Sequence, residues 1–238
     1  MNQFQNYNDN AHSDTQYVVG NPVSQVMKRV YLKMFLGMLV TAFVSMWGAS
    51  SAAYLNFMFT HSWGMWLLLG VEIVLVIAIS GAINKLSSSA ATALFYLFAV
   101  VNGLSLAPIF LIYTGASIVK TFFITAGTFG AMSIYGFFTA KDLSKMGSIL
   151  FMALIGLIIC IVVNMIWPSD TFGWIISGAG VLIFVGLTAW DTQQIKNMAL
   201  ISPSESVGRL ATIGALTLYL DFINLFLYLL RFFGSQRD

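Results

Sequence analysis

The chain has 238 residues, of which 58% are apolar and only 8% charged, with a net charge of +2 and a mean hydropathy of +0.85. A water-soluble domain usually carries about 25% charged residues, so the surface implied here is one made for lipid. The small net charge and the absence of any basic run or acidic tail exclude a nucleic-acid partner. A membrane chain must satisfy its own backbone, either in helices or in a closed barrel. The apolar runs are continuous and about 20 residues long, without barrel alternation, so the fold class expected is an all-α bundle.

In chain order, residues 1–26 are polar and rich in Asn and Gln. They lack the basic start, short apolar core and cleavage site of a signal peptide and read as a disordered cytoplasmic tail. Residues 27–238 form one membrane domain, a seven-transmembrane-helix bundle. Its apolar segments fall near 30–53, 63–83, 92–113, 117–139, 147–167, 171–191 and 209–231. Short connections carry turn-forming residues, and the longest, Thr192 to Gly208, contains Ser202-Pro203-Ser204-Glu205. Pro108 is expected to kink the third span, with Asn102 and Ser105 helping to satisfy the loosened backbone. Small residues at Ala126 and Gly130, and at Gly173, Ser177 and Gly180, suit close helix packing. Most of the six tryptophans lie near span ends, as interfacial anchors do. The single cysteine, Cys160, lies in an apolar run and reads as a packing residue.

Lys and Arg set the orientation. With the N-terminus inside, eight of the eleven basic residues gather on the cytoplasmic side: Lys28, Arg29, Lys33, Lys85, Lys141, Lys145, Lys196 and Arg209. Lys120, Arg231 and Arg237 fall on the other side. Seven full spans put the C-terminus outside, against the pull of Arg231 and Arg237; a re-entrant last segment would bring them inside.

Chemistry is concentrated in three acidic residues within spans: Glu72, Asp191 and Asp221. An intramembrane carboxylate costs roughly 2.5–3.5 kcal/mol on insertion scales and marks a functional position by default. In the last span Thr217, Asp221, Asn224, Tyr228 and Arg231 recur at spacings of 4, 3, 4 and 3, one polar stripe on an apolar helix. That stripe faces other helices or a wet cavity and is either a structural hydrogen-bond network or an ion route. Thr188 and Asp191 end the sixth span one turn apart. Asp191 reads as lying near the inner edge and Asp221 near the midplane. Their contact needs tilt, a water-filled vestibule, or a seventh helix that begins deeper. If they meet, two like charges in a low dielectric cannot both ionise cheaply, and one proton is shared. Loss of that proton weakens the bridge; a hard cation such as Ca²⁺ can replace it, held weakly and transiently. Glu72 has only Ser80 as a polar companion in its own span. It is either a protonated, hydrogen-bonded group or a second acid on the same route.

These residues lie in longer stretches with a known likeness. GLTAWDTQQIK at Gly186–Lys196, GALTLYLDFINLFLYLLR at Gly214–Arg231, and GAMSIYG at Gly130–Gly136 followed by Lys141–Ser144 resemble the signatures of the Bax inhibitor-1 family, bacterial type. The resemblance runs from about residue 25 to the end. It implies a bundle with the last helix central, in the bacterial inner membrane. It implies a pH-sensitive calcium leak governed by an aspartate pair matching Asp191 and Asp221, with Ca²⁺ as the transported ion and no resident cofactor. It further implies a stress-protective role and binding to a membrane protease, so the alternative is a non-conducting regulator. Members described with this latch use a second-span arginine to engage the pair. This second span has none, and Lys85 or Asn84 at its inner end would substitute. An enzyme is not expected: no Gly-x-Gly-Asp run precedes Asp221, His12 and His61 lie outside the spans, and the last span has no lysine.

Overall fold

A computed structural model describes residues 3–61, 63–83, 85–201 and 207–237, with side chains from Val23 onward. Among them are nine helices: α1 Gln3–Ser50, α2 Ala52–Thr60, α3 Trp63–Ala82, α4 Ser88–Leu106, α5 Ile109–Ile112, α6 Gly115–Phe138, α7 Ser144–Ile166, α8 Asp170–Ile201 and α9 Val207–Phe233. Seven helical stretches are long and apolar enough to cross a membrane, α4 and α5 counting as one. The chain is an all-α, multi-pass membrane bundle.

The helices start where the sequence offers caps. Ser51, Ser87 and Thr114 each turn a side-chain oxygen to a first-turn N–H, of Tyr54, Ala90 and Ser117. Asp142 takes hydrogen bonds from the Ser144 hydroxyl and N–H, which hold its carboxyl below the usual range and cover the start of α7. The third span breaks at Pro108, as its missing N–H requires. Val23 and Val26 are buried core residues, so packing begins inside the stretch read as a tail. The side chains of 3–22 lie outside the described residues.

Helix α9 is the centre. It packs against α8, α1, α6 and α4, whereas α7 leans on α8 and α3 chiefly on α4. In the most apolar stretch of α9 61% of residues are buried, against 6% in α7. Twenty-seven residues in one unbroken helix reach about 40 Å at 1.5 Å per residue, enough to cross. The last span is therefore long enough to traverse in one piece, with no re-entrant break among its described residues. The two arginines at its C-terminal end have local work. Arg231 covers Gly173. Arg237 donates its backbone N–H to Ile112 O at 2.8 Å and its guanidinium to Phe110 O at 3.1 Å, beside a bridge between Tyr113 and Gln236.

The largest departure from the expected spans is α8. It was expected to end at Asp191 but runs to Ile201, for 32 residues. Thr192 to Ile201 is helix, and only residues 202–206 of that connection lie outside the described residues. Trp190 is not an interfacial anchor either; its indole lies over Gly147 of α7. Close approaches are set by glycines other than the expected Gly130, which has open space around it. At Gly136 a Cβ would collide with the backbone carbonyl of Ala189, so α6 and α8 touch main chain to main chain there. Gly173 and Gly180 do face a helix, under Arg231 and the Tyr228 ring of α9.

Gly136→Ala should lower stability by about 1–3 kcal/mol, because backbone rather than a movable side chain stands in the way. Gly130→Ala should be neutral or stabilising by up to about 1 kcal/mol. Thermal unfolding of the purified protein in detergent reads both, and equal losses would contradict this packing.

Candidate functional site

The extension of α8 removes the depth mismatch between the two aspartates. Asp191 lies about 15 Å from the α8 end at Ile201, and Asp221 about 21 Å from the α9 start at Val207, at about 1.5 Å per residue. The two helices are sequential, pack closely, and bring the side chains within hydrogen-bonding reach of each other. Asp221 is 4% exposed, and Asp191 is half-buried. Ionised carboxylates only accept hydrogen bonds, so this contact requires a proton on one of them. Asp221 Oδ2 is buried and takes no hydrogen bond from a hydroxyl, amide or basic group among the described residues. No Lys or Arg pairs with either aspartate among the described residues.

The rest of the polar stripe on α9 divides. Tyr228 lies on Gly180 and stacks on Phe184 at 5.9 Å, so it and Arg231 face α8 with Asp221. Asn224 turns instead to a cleft shared with α3 and α4, one amide N–H tied to Leu220 O at 2.8 Å. Thr217 is half-buried, with no side-chain hydrogen bond among the described residues. Thr188 is buried near the pair but donates to Phe184 O of its own helix. Lys85 is exposed in the α3–α4 connection and makes no hydrogen bond or ion pair with either aspartate, so it does not stand in for a second-span arginine. Asn84 lies outside the described residues.

Glu72 belongs to a different set. Ser80 is not its companion. Ser105 of α4 donates to Glu72 Oε1 at 2.6 Å, and the Asn102 side chain lies beside it. Asn102 in turn accepts from Tyr219 at 2.9 Å, and the Tyr219 hydroxyl meets Thr41 Oγ1 at 2.6 Å. The chain Glu72–Asn102–Tyr219–Thr41 links α3, α4, α9 and α1. Asn102 and Ser105 thus serve side chains across the bundle rather than the backbone near Pro108. Tyr219 is fully buried between α1 and α4, edge-on to Phe95 and Phe98.

Four further groups carry the end of the bundle where basic residues collect. Lys33 gives its ammonium protons to Thr92 at 2.7 Å, Thr212 at 2.6 Å and Gly208 O at 3.3 Å, tying α1 to α4 and α9. Lys196 donates to Phe137 O at 2.7 Å at the C-terminal end of α6, where a cation is favoured. Gln193 holds the α6–α7 connection through Leu143 N and Lys141 O at 2.9 and 2.8 Å. Tyr31, Ser133 and Thr192 join in a hydroxyl chain from α1 through α6 to α8. The sequence marked Lys33 and Lys196 only as orientation charges. A lysine well inside an apolar run is the signal for Lys33; Gln193 and Thr192 lie in the GLTAWDTQQIK stretch but past the expected end of the sixth span, which gives them no partner.

Residues 23–238 match the family model described as inhibitor of apoptosis-promoting Bax1. The chain is 48% identical over 214 residues to inner membrane protein YbhL of Escherichia coli (strain K12), covering 89% of this chain and 92% of that protein. It is 46% identical over 217 residues to a protein of Borreliella burgdorferi, covering 90% and 94%. It is 42% identical over 216 residues to protein RP147 of Rickettsia prowazekii, covering 89% and 90%. The chain belongs to the Bax1 inhibitor family of membrane proteins.

Tyr219→Phe should cost about 1–3 kcal/mol, since it strands Asn102 Oδ1 in the core, while the Thr41 hydroxyl keeps its bond to Ala99 O at 2.8 Å. A melting temperature in detergent equal to wild type would show that this polar chain holds nothing together.

Proposed function

We propose that this family member is a pH-sensitive cation leak of the bacterial inner membrane, with Ca²⁺ as the favoured cargo and the N-terminus in the cytoplasm. The observation that carries the reading is the contact of Asp191 and Asp221 between α8 and the central α9, with no basic partner among the described residues. With one proton between them the two helices are bridged and the interior is shut. Removal of that proton leaves two negative charges facing each other in a low dielectric, and their repulsion loosens α8 from α9. The bared carboxylates then attract a hard cation. Ca²⁺ prefers six to eight oxygens, so two carboxylates give a brief stop rather than a store. The sign follows: flux is low in acid and rises as the pH goes up. The basic excess at the end holding Lys28, Lys85 and Lys141 supports a cytoplasmic placement of that end. The site is read as a conduction gate, with no catalytic step.

Wild-type protein in liposomes loaded with a Ca²⁺ dye should show influx that grows severalfold as the pH is raised. Asp221→Asn replaces the labile proton with an amide that still donates to Asp191, so its flux should stay low and flat with pH. Asp191→Asn should likewise lose the pH response. Equal flux from all three proteins at every pH would end the latch mechanism. Absence of flux from all three would favour a non-conducting regulator that binds a membrane protease.

A further inference from the structure

We propose a second ligand site, separate from the aspartate pair: a lateral cleft between α3, α4 and α9 that takes an organic cation with apolar substituents, its charge held by Glu72. The inference does not rest on the leak mechanism.

The cleft has a volume of about 470 Å³, within the range of small-molecule sites. Its walls are apolar, with Leu69, Ile73, Phe98, Leu220 and Leu227 among them, and its polar groups are Glu72, Asn102, Ser105 and Asn224. Leu69 and Ile73 are 40% and 61% exposed on the outer side of α3, so the cleft opens towards the lipid. Glu72 has neighbours able to stabilise a carboxylate. Ser105 donates to it. Asn102 uses its carbonyl oxygen to accept from Tyr219 and has only amide protons left to offer Glu72. Both neighbours can give protons to Glu72, so a carboxylate formed here is hydrogen-bonded and lacks only a countercharge. Asn224 has one N–H tied to Leu220 O, which leaves its side-chain oxygen as a further acceptor on the cleft.

A carboxylate in an apolar cleft is costly without a countercharge. The protein supplies none, since no Lys or Arg lines the cleft or pairs with Glu72 among the described residues. One carboxylate with neutral oxygens is too poor a donor set for a divalent ion. The abundance of apolar wall favours a cation that brings its own apolar surface and enters sideways from the bilayer.

The probe is radiolabelled tetraphenylphosphonium, with the full chain purified in detergent and saturable binding defined by excess unlabelled cation. Wild type should bind saturably. Glu72→Gln, which keeps the shape and removes the charge, should weaken binding by at least about tenfold. Leu69→Trp, which fills the mouth and leaves Glu72 intact, should do the same. Asp221→Asn should bind as wild type does, which separates this site from the gate. A Glu72→Gln protein that elutes as aggregate leaves Leu69→Trp to decide. Absence of saturable binding in wild type, or equal binding in wild type, Glu72→Gln and Leu69→Trp, overturns the proposal. So does Na⁺ binding that depends on Glu72 with no binding of the organic cation.

Discussion

A carboxyl group buried in mid-membrane has no water to lean on and must be met by the protein itself. Asp221 is in that position, on the helix that all the major spans but α3 and α7 surround. Its partner is a second acid, a choice that makes the contact depend on a proton. A hydroxyl or amide partner would have been indifferent to pH. In the proposed gate, two acids make the most extensive crossing in the bundle, α8 on α9, conditional on a titratable event.

The remainder of the structure holds α8 in the rotation that aims Asp191 inward. Main chain meets main chain where Gly136 of α6 lies on Ala189. One residue further on, Trp190 is seated over Gly147 of α7, and after Asp191 come Thr192 on Ser133 and Gln193 on the α6–α7 connection. Asp191 is thus flanked on both sides by residues fixed to α6 and α7. A gate built on it would swing α9 against a braced α8, or carry α6 and α7 along.

Helix α9 also keeps two polar systems apart. Tyr219 and Asp221 are two positions apart, about 200° around the helix at 3.6 residues per turn. Tyr219 joins the Glu72 chain through α4 and α1, and Asp221 faces α8. Apolar neighbours such as Leu218, Phe222 and Leu225 are buried between these faces. Glu72 and the aspartate pair therefore read as independent centres rather than stations on one route.

Much of this was legible in the amino acids alone, because lipid leaves a backbone few options. Twenty-residue apolar runs dictate helices, Pro108 dictates a break, and the three intramembrane acids announce themselves by their cost. The long motifs around Asp191 and Asp221 named the pair and the central helix through the family resemblance. The length of α8 was hidden, since Thr192–Ile201 is polar enough to pass for a loop and becomes helix only by packing on α6, α1 and α9. Partners across helices were hidden too: nothing along the chain says that Glu72 meets Ser105 and Asn102, or that Lys33 meets Thr212. One-dimensional order reports which side chains are expensive in lipid; which groups offset that expense is decided by helix rotation and depth, and those are set only when the glycines bring the spans together.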